Sequence, residues 1–338
     1  MSQQSASLGR MKKFLVISIS FILSLSSMQA INAIEDGTDS TGNTFAVPIT
    51  IEKSAGKYGG CSGVLIAPSI VATAGHCVLD STGLLTTNVF VGDPGSTWNS
   101  INPTDKILSV QITPGFQNAA NDRVGDDDIV FLILNEKKAF DKRVRLASEV
   151  EIQNIRSKAG PLKVFGYGSV NDAGDAATTP RSTEGTFSSK NPKPNMGILE
   201  PITKNVCQGD SGGPVVSITA TEIVVIGVIV GADLRNACGK TFGSFTLVSR
   251  YTNLAFSAAL AQMNNLEVEL AKVVSEASEF SSSQYIVIDE LNARISELEA
   301  EIERLKLLIP STITCIKGKL TKKVTAVKPK CPTGFRQK

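Results

Sequence analysis

The chain has 338 residues, 42% of them hydrophobic and 20% charged, a globular balance that excludes wholesale disorder and a collagen-like fibre. A net charge of +2 is too near zero for the whole chain to act as a polyanion binder, and a single histidine excludes a multi-histidine metal site built from one chain. The charge is uneven, because residues 310–338 hold eight basic side chains and no acidic one, which leaves −6 on the remainder.

Lys12 and Lys13 precede an apolar run from Phe14 to Leu25, followed by small residues from Ser26 to Ala33. This is the pattern of a secretory signal over residues 1–33, with cleavage after Ala30 or Ala33. The apolar run is well short of the roughly 20 residues that span a bilayer. An exported, secreted or cell-surface location follows, and with it an oxidising compartment in which the six cysteines are expected to pair. From Phe45 to Val248 short apolar runs alternate with Gly, Pro, Asn and Asp. Val64–Ile66, Ile70–Ala72, Ile129–Leu134, Leu162–Tyr167 and Ile223–Val230 read as strands, several buried on both faces. Residues 252–309 contain no glycine and read as long helix.

Three segments carry potential chemistry. They are Thr73-Ala74-Gly75-His76-Cys77, Asp126-Asp127-Asp128-Ile129-Val130, and Cys207-Gln208-Gly209-Asp210-Ser211-Gly212-Gly213-Pro214. Singly, each reads as a structural turn. Together they supply a serine nucleophile, an imidazole that titrates in the range needed to activate it, and a carboxylate to orient the imidazole. Gly209 lets its backbone N–H face a developing oxyanion beside that of Ser211, a kind of donor worth about 3–4 kcal/mol of barrier.

With their flanks, these segments resemble the chymotrypsin/trypsin family of serine proteases in its secreted bacterial form. The chain order His, Asp, Ser is that family's, and Phe165-Gly166-Tyr167-Gly168 resembles its Gly-aromatic-Gly turn. The resemblance spans residues 34–262. It implies an all-β fold of two six-stranded antiparallel barrels and a serine endopeptidase that cleaves protein or peptide substrates through an acyl-enzyme, with no metal and no cofactor. His76 would be general base and acid, Ser211 the nucleophile, and Asp128 the orienting acid, since the family places it directly before Ile129-Val130. Gly209 and Ser211 would form the oxyanion hole. Disulfides Cys61–Cys77 and Cys207–Cys238 fall where the family has two common bonds. A free Ile34 ammonium would pair with Asp210. Asn205 and Gly243 would shape the specificity pocket, and Asn205 stands where tryptic enzymes have Asp, so cleavage after Arg or Lys is not expected. Val230-Gly231-Ala232 replaces the family's Ser-Trp-Gly. That departure motivates an alternative, a catalytically silent protease-fold module used for adhesion or as a scaffold.

Beyond the resemblance, residues 263–309 are expected to form an α-helical coiled-coil extension. Ile288, Ile295, Ile302 and Ile309 alternate with Leu291, Leu298 and Leu305 as a and d positions of a parallel two-stranded coil over 288–309, hence a homodimer. Arg294 would face Glu299 of a second copy, and Glu301 would face Lys306. An earlier register, from Ala259 to Phe280, is out of phase across Ser281-Ser282-Ser283, so an intrachain helical hairpin is the rival. In the basic segment 310–338, Cys315 and Cys331 remain to pair, closing a loop worth about 3 kcal/mol. This segment resembles Lys-rich Cys-Pro tails of exported bacterial surface proteins and suits anionic cell-envelope polymers. Nucleic acid does not fit an exported chain.

Overall fold

Glycine, proline and asparagine punctuate the chain, and the apolar runs between them become strands in the computed structural model. The described residues are Ile34 and 37–338, apart from 99–100, 114–115, 117–126, 172, 189–192, 202–204, 235–237, 280–284, 307, 309–310, 319 and 327–328. The expected signal segment, Asp126, the serine break at 281–283, Phe280 and Ile309 lie outside them.

After the short β1 (Thr38–Asp39), six strands form one sheet: β2 (Ala46–Ser54), β3 (Lys57–Ala67), β4 (Ile70–Thr73), β5 (Val89–Val91), β6 (Ile107–Ile112) and β7 (Val130–Leu134). Their order is β5-β2-β3-β4-β7-β6, and every pairing is antiparallel. The edge strands meet only at an isolated bridge, Phe90 with Lys106, so this half is a half-barrel and not the closed barrel expected. The reason is length, because β5 has three residues and cannot carry a ladder across to β6.

The second sheet contains β8 (Val144–Leu146), then, beyond the Ser148-capped helix α1 (Glu149–Ser157), β9 (Pro161–Gly166), β10 (Arg181–Phe187), β11 (Met196–Pro201), β12 (Pro214–Ile218), β13 (Ile223–Leu234) and β14 (Gly239–Leu247). The path β10-β11-β14-β13-β12-β9 closes when β9 pairs with β10. This is the expected six-stranded barrel, with β1 added to β10 and β8 lying parallel on β13. All three disulfides pair as expected, Cys61–Cys77, Cys207–Cys238 and Cys315–Cys331.

The helical region departs from the sequence reading. Helix α2 (Thr252–Glu279) starts where the glycine-free stretch starts and packs on β6 and β7, and α3 (Tyr285–Lys306) packs back along α2. This cover explains why β7 is buried along its whole length: one face lines the half-barrel and the other lies under α2. Within the chain the two helices pack as a hairpin, the rival to the expected interchain seam. Leu298 and Leu305 are fully buried and Ile302 nearly so. Arg294 pairs with Glu269 of α2 and with Glu297, and Lys306 pairs with Glu303. Glu301 is buried and accepts a hydrogen bond from the Ser69 hydroxyl between β3 and β4 at 3.1 Å. The basic segment is folded as well. Strands β15 (Ser311–Lys317), β16 (Leu320–Ala326) and β17 (Arg336–Gln337) form a three-stranded sheet tied by Cys315–Cys331.

Leu298 is a direct test of the hairpin. Leu298→Ala should lower stability by about 2–5 kcal/mol through the cavity it leaves. Chemical denaturation measures that loss. Light scattering should give the same mass for variant and parent, because the seam being damaged lies within one chain.

Candidate active site

His76 sits in the 3₁₀ turn Gly75–Val78 that ends β4, and the disulfide from Cys77 to Cys61 ties this turn to β3. Asp128 is fully buried immediately before β7, the partner of β4. Both carboxylate oxygens hold His76: Oδ1 accepts its backbone N–H at 2.9 Å and Oδ2 its Nδ1–H at 2.7 Å. The second bond fixes the tautomer and leaves Nε2 as the basic nitrogen. Thr246 donates its hydroxyl to the Asp128 carbonyl at 3.2 Å. Of the neighbouring aspartates, Asp127 is occupied by the Tyr251 hydroxyl at 2.7 Å.

Ser211 lies in the loop between Cys207 and β12. Two left-handed glycines make the loop possible, with φ of +91° at Gly209 and +81° at Gly212. Other residues would also collide there. A Cβ at Gly212 would come within 2.2 Å of the Ser62 carbonyl oxygen, and one at Gly209 within 2.8 Å of Gly168 Cα. Among the described residues, the N–H groups of Gly209 and Ser211 meet no acceptor within the chain. No hydrogen bond joins His76 to Ser211 among the described residues, yet both line one cavity of about 370 Å³ together with Gly209.

Asp210 is fully buried, with carboxylate oxygens accepting the N–H groups of Cys207 at 2.7 Å and Gly168 at 2.8 Å. Burial pushes its carboxyl up to about 7, because those two donors offset only part of the lost hydration. Ile34 is also fully buried and has a left-handed φ of 51°. Its carbonyl accepts the Gly37 N–H.

The pocket differs in detail from the sequence reading. Val206, Ile229, Val230, Gly231 and Ala232 line the cavity, whereas Asn205 is buried and does not face it. The Asn205 Oδ1 accepts the Val206 N–H at 2.9 Å, and among the described residues its Nδ2 has no partner. Gly243 lies behind Val206, where a Cβ would be 3.0 Å from Val206 Cγ2. Val230 has no hydroxyl to offer Asp128, whose support comes from His76 and, at its carbonyl, from Thr246.

Sequence reasoning assigned no role to Ser62. Ser62 donates its hydroxyl to the Gly209 carbonyl at 2.9 Å and accepts the Tyr167 N–H at 2.9 Å. Its own N–H donates to the Ser211 carbonyl at 2.8 Å. The available signal was a small polar residue at the start of an apolar run, and the structure buries it wholly. Cys61, His76 and Cys77 place three potential ligand atoms together, but both sulfurs are committed to a disulfide and provide no thiolate for a metal.

A family model described as Trypsin matches residues 34–255, a span that includes both sheets and every residue of this cleft. Chymotrypsin-like elastase family member 1 of Bos taurus is 28% identical over 236 residues, covering 64% of this chain and 85% of that protein. With well over half of its length matched, and with histidine, aspartate and serine drawn from the two sheets in that order, this chain belongs to the trypsin family of serine proteases.

Proposed function

We propose that the chain is an exported serine endopeptidase in which Ser211, His76 and Asp128 act as a catalytic triad. The observation that carries this reading is the double grip of Asp128 on His76, in the cavity that also holds Ser211 and the uncommitted N–H of Gly209. As substrate binds, Nε2 of His76 takes the proton of Ser211 Oγ, and the oxygen attacks the scissile carbonyl. The imidazolium is stabilised by Asp128, which stays ionised. The N–H groups of Gly209 and Ser211 receive the oxyanion. Collapse of the tetrahedral adduct breaks the C–N bond, and the imidazolium gives its proton to the leaving amine. Water, deprotonated by His76, then releases the acyl group from Ser211. The missing contact between His76 and Ser211 fits an unliganded site, where catalytic hydrogen bonds tighten only once substrate is bound. A silent scaffold would have no use for Gly209 and Gly212 at Ser211, which argues against that alternative.

The apolar wall of Val206, Ile229, Val230 and Ala232 supports an aliphatic residue on the acyl side of the cleaved bond, and Lys53, which also lines this cavity, donates its Nζ to the Leu79 carbonyl at 2.7 Å. Release of the Ile34 amino group would supply the buried Asp210 with the cation it lacks, which makes cleavage before Ile34 the activating step in this reading. The basic C-terminal sheet is assigned to anionic envelope polymers on its charge alone.

Ser211→Ala and His76→Ala should each lower kcat/KM by about 10⁴-fold or more, and the double variant should lose no more than either. Asp128→Asn should cost about 10⁴-fold through the wrong tautomer. Hydrolysis of a peptide substrate, with fluorophosphonate labelling as the control, measures all of these. Labelling of Ser211→Ala would overturn the assignment.

A peptide-library profile should show aliphatic residues before the cleaved bond. Dominant cleavage after Arg or Lys would contradict the apolar pocket.

Asp210 makes a pH prediction for the chain in which Ile34 nitrogen is still in peptide linkage. Its folded pKa is raised, so the unfolded chain gives up this proton first. Stability therefore falls as pH rises from about 4 to about 7, and levels off above that. Asp210→Asn should remove this part of the slope, whatever constant offset the amide introduces. Urea denaturation at pH 5 and pH 8 decides.

A further inference from the structure

The C-terminal sheet of β15, β16 and β17 has two unlike faces, and strand register assigns each side chain to one of them, because alternate residues point to opposite sides. One face carries Cys315 and, opposite it, Lys322. The Cys315–Cys331 disulfide draws a loop onto this face, and Lys317 follows it, its Nζ lying 3.3 Å from where a Cβ of Gly334 would stand. The other face carries Thr314 and Ile316 in the middle strand. Lys323 is the partner of Thr314 in β16. On the other side, the Lys338 N–H donates to the Thr314 carbonyl at 2.9 Å, which carries the β15–β17 register one residue beyond Gln337. The rows across this face are therefore Lys323-Thr314-Lys338 and Thr321-Ile316-Arg336. Lys323, Arg336 and Lys338 are exposed, and among the described residues none of these three side chains has an ion-pair partner. Residues 310–338 contain no acidic side chain to neutralise them. Lys330 is engaged elsewhere: after Arg145, it helps to hold down the carboxyl of Glu222 between β12 and β13.

Three cations placed in this way suit an extended anion. Neighbouring strands lie about 5 Å apart and one face repeats about every 7 Å, so Lys323 and Lys338 start about 10 Å apart with Thr314 between them, and Arg336 starts one repeat along from Lys338. The face is open, unlike the concave sites that enclose small molecules. The planar fork of Arg336 can take two oxygens of one phosphate, and each ammonium can take a further phosphate as a point charge. The only apolar side chain of the two rows is Ile316, which is half-buried, so the face offers nothing to insert among acyl chains. The hydroxyls of Thr314 and Thr321 lie among the charges and match the hydroxyls of a sugar or polyol. We propose that this face binds a linear phosphate-bearing polymer of sugar or polyol units, with Lys323, Arg336 and Lys338 meeting successive phosphates. The proposal rests on the assignment of the basic sheet to anionic polymers, and adds to it the face that binds and the chemistry of the partner.

The test compares two triple variants of the full chain that lose the same amount of charge. One removes this face, as Lys323→Gln, Arg336→Gln and Lys338→Gln. The other removes Lys317→Gln, Lys322→Gln and Lys330→Gln and leaves the face intact. All six positions are exposed, and thermal unfolding of both variants is the control for folding. The probe is poly(glycerol phosphate), with binding measured by calorimetry. The parent should bind it, and raising salt from about 50 to about 200 mM should weaken binding about tenfold or more, the scale of neutralising three phosphates. The first variant should bind at least about tenfold more weakly than the parent and lose most of the salt dependence, while the second should stay within about threefold of the parent. Equal losses in the two variants would overturn the choice of face and keep the basic sheet as a binder of anionic polymers. Tighter binding of the parent to phosphatidylglycerol vesicles or to duplex DNA, at equal phosphate concentration, would overturn the choice of partner. A parent that binds none of the three probes would overturn the proposal and the anionic-polymer assignment together.

Discussion

One buried hydroxyl, that of Ser62, joins the two halves of this protein. The candidate base and its carboxylate stand on the half-barrel, and the nucleophile stands on a loop of the closed barrel, so catalysis requires the halves to be in register. Ser62 supplies that register from the middle of β3. Its N–H reaches the Ser211 carbonyl, its hydroxyl donates to Gly209 and accepts from Tyr167, and its carbonyl accepts the Thr73 hydroxyl at 2.7 Å. Each such bond contributes only about 1 kcal/mol net, but a buried polar group left unpaired costs about 1–3 kcal/mol. The junction is thus enforced mainly by the cost of breaking it. Tyr167 extends the same seam by donating its hydroxyl to the Ala46 carbonyl in β2 at 3.1 Å.

The half-barrel creates a second constraint. A sheet that does not close has unpaired edges and an outer face to cover. Strand β7 is apolar at every position from Val130 to Leu134, and only half of those side chains point inward. The α2–α3 hairpin covers the other half, so the helices complete the core of the protease domain. They also touch the chemistry. α2 follows β14 through the turn Val248–Tyr251, and the Tyr251 hydroxyl binds Asp127, the neighbour of Asp128. Loss of the hairpin would strip β7 and loosen the loop that delivers the carboxylate to His76.

The strands, the pairing of the cysteines and the meeting of His76 with Asp128 beside Ser211 were legible because each depends on local residue chemistry: apolar runs between turn formers, and glycine where φ must be positive. Closure of the first barrel was not, since it turns on β5 being three residues long, which no periodicity announces. The heptad alternation from Ile288 was read correctly as a helix with an apolar stripe, but a stripe does not say whose surface it covers. Leu298 is as well satisfied by α2 as by a second chain, and the charges on α3 found partners within reach on the same hairpin. Val206 was missed for a related reason. A valine beside an asparagine becomes a cavity wall only when distant segments converge on it.

Two buried carboxyls complete the argument, because they have opposite surroundings. Asp128 spends both oxygens on one residue, whose imidazole becomes cationic during the proposed reaction, so its negative charge is most useful at the transition state. Among the described residues Asp210 meets only backbone N–H groups, and its burial favours the neutral form. Those N–H groups belong to Cys207 and Gly168, and so connect the nucleophile loop to the Gly168 segment. Ionising Asp210 would strengthen both bonds at once, drawing the two segments toward one carboxylate. The charge on Asp210 therefore acts on the nucleophile loop and on the Gly168 segment together, from one buried group.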